Sequence, residues 1–262
     1  MIETNWGAEA VDPKERSLPG LKVSFLLRHA PRTGRVLEIG SGDGKLLRTL
    51  AEHSSALDLV GCDVRPPRTP ADGYAFELID GTLPRHMDGA FDTVLLFDVL
   101  EHVPDPAATL GDAARVLRPG GKLIAFVPVE GELVSAYTFF RAVLGKNVYV
   151  ETKEHVQAFT HARLRALVEA RFTVDDWAYA YHALGQTMDA GFFGAQKLGK
   201  LREMWWNDNT FYNAQKKHAG GAAGVMNRLL RVGNLMAWAE SRMLADVKTA
   251  SAGALFAATV RA

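Results

Sequence analysis

Apolar residues in the first two-thirds of the chain switch repeatedly between short continuous runs and helical spacing. That pattern predicts βαβ units around a parallel sheet. Arg35–Ile39 is mostly apolar and ends at glycine, and predicts the first strand. Leu46, Leu47, Leu50 and Ala51 follow at helical spacing. Asp58–Asp63 and Ala75–Ile79 predict the second and third strands. Asp92–Phe97, rich in Val, Leu and Phe, predicts a fourth that is buried on both faces. Asp105-Pro106 starts a helix, since Asp caps free backbone N–H groups and Pro tolerates the first turn. Leu110, Ala114 and Leu117 form its apolar stripe, and Pro119-Gly120-Gly121 stops it. Lys122–Val127 is the predicted fifth strand. Thr160 caps another helix with Leu164, Leu167 and Val168 inward; Phe172–Tyr181 and Ala254–Arg261 are the sixth and seventh strands.

Two stretches break the alternation. Pro128–Phe159 is a long connection, and His182–Ala250 holds Trp205-Trp206, Phe211-Tyr212 and a predicted helix over Val225–Val247. Connections this long are usually functional or have structure of their own. Val225, Leu229, Val232, Met236, Met243 and Val247 recur at helical spacing, which predicts packing on the domain or on a second subunit.

Composition narrows the function classes. The 262 residues are 48% hydrophobic, with 30 Lys+Arg against 30 Asp+Glu. A disordered, collagenous or coiled-coil chain is excluded, and zero net charge makes nucleic acid an unlikely partner. Cys62 stands alone, so neither an intrachain disulfide nor a cysteine zinc cluster is possible. No apolar run reaches membrane-spanning length, and Met1–Trp6 lacks a basic-then-apolar leader; a cytoplasmic location is the expectation.

The chemistry begins at Glu38-Ile39-Gly40-Ser41-Gly42-Asp43-Gly44, which follows the first strand and opens a helix. Glycines there let a ligand approach the backbone closely. A dinucleotide fingerprint would need its third glycine one position later, where Lys45 stands, which disfavours a nicotinamide-dependent oxidoreductase. Asp63 ends the second strand, where a carboxylate can hold both hydroxyls of a ribose.

Val36–Gly44 resembles the signature of class I S-adenosylmethionine-dependent methyltransferases. So do Asp63, the strand leading to Asp98-Val99-Leu100-Glu101-His102-Val103, and Leu117-Arg118-Pro119-Gly120-Gly121. Glu154–Thr160 resembles a stretch of the small-molecule branch. The resemblance covers roughly residues 30 to 180 plus the last strand. It implies an α/β, Rossmann-like fold: a seven-stranded, mostly parallel sheet in the order 3-2-1-4-5-7-6, its seventh strand antiparallel. The chain would be a single domain over residues 1–262, with residues 182–250 as a helical cap between strands six and seven. It also implies S-adenosylmethionine as cofactor. Glu38, Gly40, Ser41 and Gly42 would line its methionine part, Asp63 its ribose, Asp80 and Gly81 its adenine, and Phe97 and Asp98 its sulfonium end.

The expected reaction is methyl transfer to a small organic acceptor, in which the protein mainly aligns the acceptor and excludes water. His102 and His155 are the candidate catalytic bases, needed where the acceptor carries a proton. Glu101-His102 reads first as a brace for its turn, which leaves His155 as the residue expected over the acceptor, and His182 is a weaker candidate. No spacing suggests a metal site. Basic residues outnumber acidic ones across residues 182–250, and Trp205, Trp206 and Tyr212 are the expected substrate contacts. Three alternatives stay open: a macromolecular acceptor, attack on another carbon of the sulfonium that releases methylthioadenosine, and a non-catalytic binding module. A homodimer is compatible with all of them.

Overall fold

The structure is a computed structural model, and it describes residues 10–138, 142, 155–188 and 222–261. Strands β1 (Gly34–Ile39), β2 (Leu57–Asp63), β3 (Ala75–Leu78), β4 (Phe91–Phe97), β5 (Leu117–Pro128), β6 (Phe172–Ala180) and β7 (Gly253–Val260) form one sheet. Their order is β3-β2-β1-β4-β5-β7-β6. Neighbours pair in parallel from β3 to β5, and β7 runs antiparallel to both β5 and β6. The expected topology is therefore present. Strand order reverses between β1 and β4, which opens a crevice beyond their carboxyl ends.

Two apolar layers hold the helices to the sheet. On one face α1 (Leu18–His29) and α2 (Lys45–His53) bury Val23, Leu26, Leu47 and Leu50 against Val36, Leu95 and Phe126, joined by Ala237 of α5 (Ala222–Met243). On the other, α3 (Pro106–Val116) and α4 (His161–Glu169) bury Leu110, Val116, Leu164 and Val168 against Leu37, Leu96 and Phe256. β4 is buried on both faces, as its composition predicts.

The caps follow side-chain chemistry. Ser17 accepts from the Gly20 N–H, Asp105 from Ala107 and Ala108, and Thr160 from Arg163. The sequence reading missed α1, although Ser17 and Pro19 carry a usable start signal. Pro119-Gly120-Gly121 does not stop α3, which ends at Val116; the tripeptide bulges out within β5 between the Phe91–Leu117 and Thr93–Lys122 pairs.

For the described part of the apolar stripe, packing on its own domain is not observed, and the second-subunit alternative stays open. In α5, Val232, Met236 and Met243 are exposed, as is Val247 beyond it, so this part of the apolar stripe faces away from the domain. Among the described side chains of α5, Asn234, Ala237 and Ser241 are the buried ones. Periodicity marks an apolar face but not what it meets. Here small and hydrogen-bonding residues allow the closer approach: Gly233 abuts Met188, and the Tyr181 N–H donates to Ser241 Oγ at 3.1 Å.

Candidate active site

The glycine turn lies at the crevice. Gly40 and Ser41 donate their N–H groups to Cys62 O at 2.8 and 3.1 Å, and Gly44 donates to Ser41 O at 2.8 Å. Gly42 donates to Asp63 Oδ2 at 2.9 Å. These donors are thus spent on the turn itself, and the value of the glycines is close approach. Gly42 has φ +52°, and a Cβ there would meet nothing within 4 Å, so its surface is open to a ligand. Gly44, at φ +77°, caps α2 with a left-handed backbone, and a Cβ would collide with the Tyr74 ring at 2.4 Å.

Around this turn Glu38 Oε2, Ser41 Oγ and Tyr74 OH are buried without a hydrogen-bond partner among the described residues. Buried polar atoms are normally satisfied, so three orphans converging on an open glycine surface mark a polar ligand's place. Burial, and then the nearby Asp63 charge, push the Glu38 carboxyl well above its ordinary range. A cationic amino group such as that of methionine would oppose both effects.

Asp63 also accepts from the Arg65 N–H at 3.1 Å, so its carboxylate is fixed in direction before any ribose arrives. Asp80 follows β3 beside it, on the solvent side. Hydrogen bonds from the Thr82 side chain and backbone hold its carboxyl below the ordinary range. Gly81, at φ +105°, has open space where a Cβ would lie. Phe97 is buried at the end of β4, and Asp98 stands in the left-handed region at φ 54°. The residues assigned to the cofactor thus lie along one sheet edge, and their open and unpaired surfaces fit a nucleoside carrying an amino acid.

The second cluster was legible only in part. Val156 and Gln157 donate their backbone N–H groups to Glu101 O at 2.9 and 3.1 Å, and this stitches the segment carrying His155 to the turn after β4. The His102 and His155 rings meet edge to face, with centroids 4.8 Å apart. His155 is 5% exposed, with Nδ1 3.0 Å from Glu130 Oε1. His102 is the half-exposed member, its Nε2 3.7 Å from Glu101 Oε1. Glu101 is fully enclosed; burial first, then the Asp98 and Glu130 charges, raise its carboxyl well above the ordinary range. Glu101, His102 and His155 have ligand atoms within 4.8 Å of one another, a donor set that a divalent ion would also accept, although the sequence spacing predicted none.

Sequence reasoning missed Lys22 and Glu130. Lys22, on α1, is 2% exposed and donates to both Asp98 carboxylate oxygens at 3.0 and 2.7 Å. No local pattern signals a partner 76 positions away. His182 is buried with Nε2 2.8 Å from Val247 O, a structural role. His161 pairs with Ser251 at 2.7 Å, and burial lowers its imidazole to about 4. Trp205, Trp206 and Tyr212, expected to touch substrate, lie outside the described residues.

Residues 14–172 match a family model described as a methyltransferase domain. A ubiquinone biosynthesis O-methyltransferase of Xylella fastidiosa is 30% identical over 155 residues, which are 55% of this chain and 61% of that protein. The chain thus spans about six-tenths of the length of that curated relative. Among solved structures, the cyclase SpnF aligns with a TM-score of 0.56 at 17% identity, over 97% of this chain and 86% of the other. A Haemonchus contortus phosphoethanolamine N-methyltransferase in complex with S-adenosyl-L-methionine aligns at 0.54 and 17%, over 92% and 52%. At such identities these structures speak for the fold alone. Taken with the strand order, the open glycine turn and the carboxylates along its edge, the family match shows that this chain belongs to the class I S-adenosylmethionine-dependent methyltransferases.

Proposed function

We propose that the protein methylates a hydroxyl oxygen of a small organic acceptor. The observation that carries this reading is the histidine pair backed by buried carboxylates, set at the same sheet edge as the glycine turn. A hydroxyl must lose its proton as it is methylated, so a positioned base is useful; such a base typically adds ~10²–10⁴-fold. The name of the Xylella relative also points to oxygen as the methylated atom.

Bound S-adenosylmethionine supplies an electrophilic methyl group on a sulfonium. The chain's own residues do the rest. Glu38 and Ser41 face the amino acid part, Asp63 the ribose hydroxyls, and Asp80 with Gly81 the adenine. His102, half-exposed, takes the acceptor's proton at Nε2. His155, its Nδ1 3.0 Å from Glu130 Oε1, packs against the His102 ring and fixes its direction. We assign the cap to residues 182–250, whose described helix α5 meets β6 and α1, the helix that carries Lys22. Trp205, Trp206 and Tyr212, outside the described residues, are the side chains we assign to the acceptor.

Nothing here requires nucleic acid as a partner. The outward apolar side of α5 supports a homodimer, and a lone free thiol, Cys62, is compatible with a reducing cytoplasm. No helix among the described residues is long and apolar enough to cross a membrane.

The test is calorimetry followed by product analysis. Equimolar binding of S-adenosylmethionine, then S-adenosylhomocysteine release with a panel of hydroxylated acceptors, is the expected result. Release of methylthioadenosine instead would replace methyl transfer with attack on another sulfonium carbon.

A further inference from the structure

Lys22 and Asp98 form an ion pair whose lysine side chain is only 3% exposed. The Lys22 ammonium also lies 3.6 Å from the centroid of the Phe126 ring and 5.6 Å from that of Tyr181. Burying the lysine ammonium is costly even beside an Asp98 side chain that stays 26% exposed, and an apolar residue of similar volume often serves stability as well or better. The backbone around the pair is strained too. Asp98 and Tyr181 are two of three described non-glycine residues with positive φ, at 54° and 57°. Strain of this kind concentrates at functional sites. Asp98 directly follows β4 at the crevice, next to Val99, against which Gly40 of the glycine turn packs.

We propose that Lys22 is a positioning residue that neutralises Asp98, so that the carboxylate beside the methyl donor does not over-stabilise the sulfonium before transfer. The inference rests on the reading of the pocket as an S-adenosylmethionine site with Asp98 at its sulfonium end. In transfer to a hydroxyl, the acceptor oxygen's lone pair forms the bond to the methyl carbon. The carbon–sulfur bond breaks, its electrons return to sulfur, and the hydroxyl proton passes to His102. Positive charge on sulfur is thus present at the start and absent at the end. A bare carboxylate would hold the starting state more strongly than the transition state and slow the step, because only interactions that favour the transition state accelerate it. The Lys22 ammonium cancels that hold while leaving Asp98 oriented.

The test compares the affinities of S-adenosylmethionine, which carries the sulfonium, and S-adenosylhomocysteine, which does not. Lys22→Gln keeps a hydrogen-bond donor near Asp98 and removes the charge. It should raise preference for S-adenosylmethionine over S-adenosylhomocysteine by about fivefold or more in low-salt calorimetry, while lowering the single-turnover rate. Lys22→Arg should keep the wild-type preference. Asp98→Asn, which leaves the cation uncompensated, should shift preference the opposite way, and it decides the matter if Lys22→Gln does not fold. If Lys22 only staples α1 to the sheet, Lys22→Gln will weaken both ligands equally and lower thermal stability, which overturns the proposal. Wild-type protein that binds neither ligand would instead overturn the pocket assignment beneath it.

Discussion

Replacing Glu101 with Gln should make the protein more stable at neutral and alkaline pH while impairing turnover. Glu101 is 1% exposed, and neither carboxylate oxygen has a hydrogen-bond partner among the described residues. Burial raises its pKa well above the ordinary 4.5, and Asp98 and Glu130 push in the same direction against the opposing effects of its own backbone N–H and Lys22. The folded chain therefore holds this proton more tightly than the unfolded chain. The stabilisation from that proton is complete below the unfolded value and is lost as pH rises through the folded one. Between the two values the loss runs at up to about 1.4 kcal/mol per pH unit. Glu38 is raised for the same reason and adds a slope of the same sign. The informative quantity is thus the difference between wild type and variant. Urea denaturation at several pH values from 5 to 9 should give a wild-type stability that falls more steeply than that of Glu101→Gln. The two curves should separate in the variant's favour as pH rises. Parallel curves, or a variant weaker by the same amount at every pH, would refute the reasoning, because Glu101 would then carry no abnormal proton.

Asp63→Ala should cost at least tenfold in cofactor affinity, since each charge-assisted hydrogen bond lost is worth roughly 1.5–3 kcal/mol, and it also frees the Gly42 N–H of its acceptor; calorimetry checks it, and unchanged affinity removes Asp63 from the site. His102→Ala should abolish most turnover at near wild-type cofactor affinity, whereas His155→Ala should lower both turnover and melting temperature, because His155 is buried against Glu130; a fully active His102 variant would make it a turn brace. Gly44→Ala should lower stability by about 1–3 kcal/mol through left-handed strain, with a further cost from displacing Tyr74, readable as a drop in melting temperature. Substituting Trp205, Trp206 or Tyr212 should change acceptor affinity far more than cofactor affinity; equal effects on both would end the cap assignment.

What was legible in the sequence was whatever depends on neighbours along the chain. The strand predictions fall within a residue or two of their observed ends at β1, β2, β3, β4, β6 and β7, because alternating strand and helix periods are local properties. The glycine turn and Asp63 were legible for the same reason: their spacing is set by a single strand–turn–helix unit and the strand after it. β5 was less so, since a proline and two glycines read as an interruption while the sheet absorbs them as a bulge. The outward face of α5 was not legible at all, because an amphipathic pattern is the same whether its apolar side meets a core or looks away from it.

The same distinction separates the two halves of the site. The cofactor half is built from consecutive turns at the ends of β1, β2 and β3, so its residues announce themselves in order. The half we propose for the acceptor is assembled from distant segments: Glu101 and His102 from the turn after β4, Glu130 from beyond β5, and His155 from a connection stitched back onto Glu101, with Lys22 of α1 reaching Asp98 at the border with the proposed sulfonium end. Only the fold makes these residues neighbours, and only burial gives their charges consequence. A Lys22–Asp98 pair in water would be a weak contact. With the Lys22 side chain 3% and the Asp98 side chain 26% exposed, the pair is partly shielded from water and acts on the local potential, and burial raises the proton affinity of Glu101 close by. Two chains sharing the glycine turn can therefore bind the same methyl donor and still differ in acceptor, because each acceptor half draws on different and more distant parts of its sequence.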